Sequence, residues 1–179
     1  MKKTIHSLLF GMATGLGLAA CQKPTMLEEI RSSESGLRFV NRITETEQMN
    51  IMNYAYFYNG GGVGCGDFNG DGLPDLVFTG NQVGNRIYIN KGGLQFEDAT
   101  QRLGLGQGVG WYTGVSLADV NGDGWLDIYL CKSGLVKEEF RRNELYINQN
   151  GTHFEEQASL WGLDDPGYST QAAFLDYDR

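Results

Sequence analysis

Histidine is scarce in this chain, and its scarcity narrows the chemistry that the chain can perform. The 179 residues contain two histidines, His6 and His153, and His6 lies in an amino-terminal segment that we expect to be removed. General acid–base catalysis uses histidine most often, and catalytic triads are built around it. The composition therefore disfavours triad and metalloenzyme chemistry and predicts a protein that is not an enzyme, with no catalytic residues.

Positive charge is also in short supply. Lys and Arg number 14 against 22 Asp and Glu, which gives a formal net charge of -8. Nucleic-acid binding requires clustered Lys and Arg that displace counterions from phosphates. The acidic balance therefore disfavours a nucleic-acid partner and suits a chain that holds cations.

Long apolar runs are missing beyond the amino terminus. The run at 5–18 is interrupted by glycines and is shorter than the roughly 20 residues of a membrane-spanning helix. It follows Lys2 and Lys3 and ends in Leu-Ala-Ala-Cys21, which is typical of a secretory signal. The ending resembles the bacterial lipobox, which implies that Cys21 is lipidated. We expect a signal peptide at 1–21, a tether at 22–35, and an exported protein at the bacterial outer membrane, held there by its lipid alone.

Only three cysteines are present, and Cys21 is assigned to the lipid. The other two, Cys65 and Cys131, would share an oxidising compartment and could pair there. Both lie in apolar, strand-like runs of different repeats, which favours two small buried side chains without a disulfide.

The mature chain repeats itself. The sequence DFNGDGLPD at 67–75 recurs as DVNGDGWLD at 119–127, 52 positions further on. NRIYIN at 85–90 recurs as NELYIN at 143–148, 58 positions further on. The six additional residues fall between these motifs, where we expect a charged loop insertion at Lys132 to Arg142. Self-similarity at such a period indicates a repeat architecture.

Each repeat predicts four short strands, with Asn- and Gly-rich tight turns before the last one. In the first repeat the expected strands are Gly62 to Phe68, Leu76 to Thr79, Arg86 to Ile89 and Leu94 to Ala99. Four strands in about 40 to 50 residues is the spacing of a propeller blade. The predicted fold is all-β: four-stranded antiparallel blades of an incomplete β-propeller at 36–179, with blades at about 60–105 and 112–163 and a third that begins near 170.

The segment at 35–40 (SGLRFV) is similar to the last strand of the first repeat. We therefore expect a strand around Phe39 that closes the ring against the final blade of a longer protein. Propellers typically have about 4 to 8 blades, and two complete ones are predicted here.

The acidic segments 67–75 and 119–127, named here the first and second acidic loops, have the pattern of a cation site. Side chains at positions 1, 3, 5 and 9 can converge on one ion, with a glycine at position 6 for the turn and an inward carbonyl at position 7. A set made only of oxygens selects a hard cation, so calcium is expected in preference to magnesium or zinc. The predicted ligands are Asp67, Asn69, Asp71, the Leu73 carbonyl and Asp75; Asp119, Asn121, Asp123, the Trp125 carbonyl and Asp127; and, in an incomplete third site, Asp176 and Asp178.

Two alternative interpretations of these loops compete with a calcium site. An EF-hand requires Glu at position 12 and flanking helices, whereas Phe78 and Leu130 occupy that position between strand-like flanks. The second alternative is a simple turn built from Asn-Gly-Asp-Gly. The recurrence of acid or amide at all four side-chain positions favours a ligand role.

The two Asp-x-Asn-x-Asp-Gly-x-x-Asp loops, each preceded by a strand of small residues, resemble the FG-GAP or VCBS repeats of integrin-type propellers. The run at 59–75, with the Leu-Tyr-Ile-Asn and Gly-x-x-Phe hairpins, is similar to bacterial lipoproteins related to cartilage acidic protein. Those proteins often carry a carboxy-terminal ASPIC/UnbV domain. The resemblance covers about 36–179 and implies calcium at both acidic loops. The later blades and the carboxy-terminal domain of that family are not found in this sequence.

Two functions follow from this resemblance and from the surface residues. The first is a calcium-stabilised, non-catalytic scaffold in the cell envelope that binds an unidentified protein or glycan, with the loop at Lys132 to Arg142 as a candidate contact. The second is carbohydrate binding or processing through aromatic rings that stack on sugars, although such clusters more often pack between blades. The candidate rings are Tyr54, Tyr56, Phe57, Tyr58, Trp111 and Tyr112.

Overall fold

The computed structural model describes residues 27–106, 108 and 110–177, and across these ranges it is built from two four-stranded antiparallel sheets. The strands of the first sheet are β1 (Val63–Gly66), β2 (Asp75–Phe78), β3 (Arg86–Asn90) and β4 (Phe96–Asp98). Those of the second sheet are β5 (Trp111–Ala118), β6 (Asp127–Ser133), β7 (Glu144–Asn148) and β8 (Phe154–Glu156). In both sheets the strands lie side by side in chain order. The prediction of an all-β chain with four strands per repeat is confirmed.

The helices of the described chain are short. They are α1 (Ser32–Ser35), α2 (Ala158–Trp161) and a 3-10 turn at Glu138–Phe140. Within the described ranges, no helix has both the length and the apolar character needed to cross a membrane.

The two sheets share one register. Gly66 of β1 lies opposite Asp75 of β2, and Ala118 of β5 lies opposite Asp127 of β6. The β2–β3 and β3–β4 pairings of the first sheet likewise recur in the second. The repeat in the sequence is therefore a repeat in the structure.

Glycines on β1 let the two sheets approach closely. A Cβ atom built on Gly64 would lie 2.8 Å from a methyl carbon of Val115, and one built on Gly66 would lie 2.7 Å from a methyl carbon of Leu126. Only glycine leaves room for that distance. Between the sheets lies a shared apolar core, whose buried members are Phe68, Val77, Ile87, Ile89, Ala99, Leu103, Leu105, Tyr112, Val115, Ile128, Leu130, Tyr146 and Phe154.

The segment at 169–174 meets the second sheet much as β5 meets the first. A Cβ atom on Gly114 would lie 2.5 Å from the carbonyl oxygen of Thr170, and one on Gly62 would lie 2.7 Å from that of Thr113. The Thr113 hydroxyl also donates to the Ser169 carbonyl at 2.8 Å. This segment forms no strand, but its placement matches the start of a third repeat.

One predicted strand and one predicted loop boundary were wrong. The segment around Phe39 forms no strand; α1 lies in the expected tether, and the Phe39 ring stacks on Phe78 with centroids 5.2 Å apart. The expected loop insertion begins later than Lys132, because β6 extends to Ser133 and buries the Lys132 side chain against Glu144 of β7.

The expectation that both cysteines are buried was wrong for one of them. Cys131 is buried and Cys65 is exposed, and both are free thiols. Since side chains alternate along a strand, Gly64 and Gly66 face the second sheet while Cys65 points to the opposite side.

Candidate functional site: two acidic loops

The aspartate at position 1 organises each acidic loop. One carboxylate oxygen of Asp67 accepts the Gly70 amide at 2.8 Å, and the other accepts the Gly72 amide at 2.8 Å. Both glycines have positive φ, +73° and +81°, which glycine adopts without steric cost. Asp119 binds the second acidic loop in the same way, through the amides at 122, 123 and 124.

Positions 3 and 5 form the exposed tip of each loop. In the first loop the Asn69 side-chain amide donates to Asp71 at 2.9 Å, and the Leu73 amide donates to the other Asp71 oxygen at 2.8 Å. Hydrogen bonds to the ionised carboxylate favour it, so the pKa of Asp71 is lowered by the Asn69 amide and by the Leu73 amide. Asn121 and Asp123 repeat the side-chain contact at 2.9 Å.

The aspartate at position 9 points inward. The Asp75 side chain is fully buried, and its two oxygens accept the backbone amides of Phe68 at 2.9 Å and Asn90 at 2.8 Å. Asp127 makes the equivalent bonds to the amides of residues 120 and 148. This residue therefore closes its loop and ties it to the third strand of its sheet.

Burial raises the pKa of Asp75 and of Asp127. The backbone amides that each accepts oppose this shift, and the other two aspartates of the same loop add to it. Negative charge at the loop tip thus disfavours a charged carboxylate beneath it, and a bound cation would reverse that effect.

The chemistry of the donor set fits a hard cation. The tip of the first loop offers only oxygens, from Asp67, Asn69, Asp71 and the Leu73 carbonyl, and each carboxylate has about four lone-pair sites. Over the ranges that the structure describes, no group of three or more His, Cys, Asp or Glu is arranged as a metal centre. The Asp75 carboxylate is directed to the backbone amides of Phe68 and Asn90, and the Asp127 carboxylate has the same arrangement in the second loop.

The remaining predicted site residues lie at or beyond the limits of the described chain. Asp176 is exposed. Cys21 and Asp178 lie outside the described residues, so lipidation and the third site stay predictions.

Sequence reasoning missed the asparagine that ends the third strand. Asn148 is buried, and its side-chain amide donates to the Phe68 carbonyl of the first loop at 2.9 Å and to the Leu126 carbonyl at 3.1 Å. Asn90 donates to the Pro74 carbonyl at 2.9 Å. The signal was present in the repeated Tyr-Ile-Asn sequence, whose last residue stands where a strand would otherwise favour an apolar side chain.

The candidate sugar-binding rings divide into buried and exposed members. Tyr54, Phe57 and Trp111 pack together as an apolar cluster, and Tyr112 is fully buried. The exposed rings are those of Tyr56 and Tyr58. A cavity of about 280 Å³ lies beside this cluster and is lined by Tyr54, Tyr56, Trp111, Thr113 and Gln171 among others.

A buried polar network lies within the second sheet. The Lys132 ammonium pairs with Glu144 at 2.5 Å, and the hydroxyls of Tyr112 and Tyr146 donate to the same carboxylate at 3.0 Å. Burial and the nearby negative charge raise the pKa of both tyrosines, which keeps their hydroxyls protonated as donors. The Glu144 carboxylate thus pairs the buried Lys132 charge and accepts both hydroxyls, and a polar network satisfied in this way fixes how these strands pack.

Comparison with known protein families bears on the acidic loops. The family model of an FG-GAP-like repeat matches residues 67–130, which begin at the first residue of the first acidic loop and end within β6. This chain contains an FG-GAP-like repeat. The match spans both acidic loops, so the FG-GAP-like repeat contains all ten of their predicted ligands. The comparison with curated proteins finds no significant match.

Proposed function

We propose that this chain is a calcium-stabilised, non-catalytic binding or scaffolding module of a β-propeller, exported and held in the bacterial cell envelope by a lipid on Cys21. The observation that carries the proposal is the pair of oxygen-only loop tips, placed identically in two sheets of one register. The tip of the first loop lies just before β2 and that of the second just before β6. An ion bound there would stabilise the connection between two neighbouring strands and take no part in a reaction. Its partner would be a protein or a glycan and not a nucleic acid.

The propeller arrangement is supported by the way successive repeats meet. The second repeat packs β5 onto the glycines of β1, and residues 169–174 approach Gly114 of the second repeat in the same manner. A constant step between sheets is what a propeller requires. The likeness to bacterial lipoproteins related to cartilage acidic protein supports the lipid anchor and the envelope location.

Calcium titration of the full chain tests the central claim. Extracellular calcium modules typically have a Kd of about 10⁻⁴ to 10⁻³ M, and a tenfold excess over Kd stabilises by roughly 1.4 kcal/mol per site. We expect the melting temperature to rise with calcium and to rise less in Asp71→Asn and in Asp123→Asn, which keep the shape of the loop and remove one anionic ligand. Magnesium is the matched control. A melting temperature that does not change in 10 mM calcium (about tenfold over the upper end of that Kd range) would exclude the proposal.

The lipid anchor has its own test. Cys21→Ser should abolish the mass increase that lipidation adds and should release the chain from the membrane fraction. Retention of the variant in the membrane would show that another segment holds it.

Carbohydrate binding is the second candidate, and the cavity beside Trp111 favours it. Tyr56 and Tyr58 are both 60% exposed, but only Tyr56 lines that cavity. On a glycan array, Tyr56→Ala should therefore lose binding that Tyr58→Ala keeps. A hydrolysis assay on the array hits separates binding from processing. Equal signals from the two variants would remove this candidate.

A further inference from the structure

Trp125 belongs to one acidic loop and packs on the other. Its backbone lies in the second loop, where its amide donates to Asp123 at 2.9 Å and its carbonyl is a predicted ligand. Its ring extends to the first loop, where a Cβ atom built on Gly70 would lie 3.0 Å from both Cζ3 and Cη2 of the indole. The indole therefore lies directly against the backbone of the first loop.

The second repeat holds the first loop from two further directions. A Cβ atom on Gly151, in the turn between β7 and β8, would lie 2.7 Å from Cζ3 of Trp125 and 3.2 Å from Cα of Asn69. The Asn148 amide fixes the Phe68 carbonyl at the start of the loop. The ring of Trp125 is thus enclosed between the first loop and a turn of its own sheet.

Across the described residues, the second loop has no such cover at the equivalent position. Gly122 corresponds to Gly70 and has nearly the same φ, +74° against +73°, but none of the described atoms lies within 4 Å of the Cβ position at Gly122. Gly122 is therefore a matched position that lacks the indole contact.

We infer that Trp125 couples the two acidic loops, so that a cation in the second loop favours binding of a cation in the first. The inference rests on the proposed function. A cation held by the second loop fixes the backbone of Trp125, which fixes the indole against Gly70 and so preserves the Asp67 bonds to the Gly70 and Gly72 amides. Coupling between two sites is reciprocal, so an ion in the first loop favours the second equally.

The positioning role can be tested without any cation. In chelator, amide hydrogen exchange of Gly70 and Gly72 should accelerate about tenfold in Trp125→Leu, which corresponds to a decrease of about 1.4 kcal/mol in the free energy of local opening. Exchange of unrelated amides in β7 is the internal reference. Unchanged exchange at Gly70 and Gly72 would overturn the inference.

A matched pair of glycine variants separates the indole contact from backbone strain. Gly70→Ala and Gly122→Ala impose the same strain because their φ values agree, but only the first drives a methyl group into Trp125. We expect Gly70→Ala to lower the melting temperature further than Gly122→Ala, and Trp125→Leu to remove most of that difference. Equal losses in the two single variants would count against the contact.

Calcium calorimetry tests the coupling itself. Asp123→Asn, in the second loop, should weaken calcium binding at the first loop about fivefold or more, the low end of typical coupling. In the Trp125→Leu background the same change should have less than about a twofold effect, because the path between the loops is gone. Equal effects in both backgrounds would overturn the coupling while leaving calcium binding intact. Absence of binding to the wild-type chain would overturn the proposed function, and the exchange experiment would still decide whether Trp125 positions the loop.

Discussion

Replacing Asp75 with alanine should destabilise the chain strongly, and it should do so in the absence of calcium. The side chain is fully buried and accepts the amides of Phe68 and Asn90. Each amide left without an acceptor costs about 1–3 kcal/mol, so the expected loss is about 2–6 kcal/mol for the two. Alanine also removes the cost of burying the Asp75 carboxylate, so we expect the loss of unfolding free energy to fall in the lower half of that range.

Urea unfolding in the presence of chelator measures this loss. The linear extrapolation gives the free energy of unfolding of wild type and variant under one condition. Asp71→Ala is the control, because Asp71 lies at the exposed tip of the same loop and should cost much less. A loss below about 1 kcal/mol in Asp75→Ala, less than one orphaned amide, or equal losses in the two variants, would refute the structural role.

Three further predictions follow from buried groups. In chelator, the destabilisation caused by Asp127→Asn should shrink as the pH rises above about 4. A carboxyl group whose pKa is raised in the folded state stabilises the fold fully below its unfolded pKa, and this contribution is lost as the pH rises through the folded pKa. Urea unfolding across pH 3 to 8 measures the difference, and a destabilisation that grows with pH would contradict the raised pKa. Gly64→Ala should cost about 1–3 kcal/mol by overpacking the junction of the sheets, against little for Gly167→Ala, whose Cβ would meet only an aspartate side chain; equal melting temperatures would contradict the close approach. Iodoacetamide should alkylate Cys65 in the folded chain but reach Cys131, whose pKa burial raises to about 11, only after unfolding; mass spectrometry of tryptic peptides distinguishes them.

The repeat made the fold predictable. Two copies of one loop, followed by two copies of Tyr-Ile-Asn, fixed the number of strands per repeat and their order, and β3 differs from its predicted range by one residue at Asn90. The predicted strand at Phe39 failed because the likeness was local. A strand needs a neighbour with free backbone groups, whereas the Phe39 ring packs on the face of Phe78.

The orientation of the position-9 aspartate could not be predicted from the loop pattern. An inward carboxylate can bind an ion or close a hairpin through backbone amides, and both roles require Asp at the same place in the repeat. The amides that Asp75 accepts include that of Asn90, 15 positions away, and such pairing becomes visible only when the strands are assembled. The exposure of Cys65, in contrast, could have been predicted from the sequence. Glycines at 62, 64 and 66 mark the face of the strand that packs closely, and Cys65 alternates with them.

The glycines of β1 also make the junction between the two repeats intolerant of any side chain. A Cβ atom on Gly64 would meet Val115 of β5 at 2.8 Å and Val77 of β2 at 2.9 Å. A larger residue at this position would have to displace one sheet from the other, because it would be squeezed between both. The spacing of the two repeats is therefore set by a residue that has no side chain.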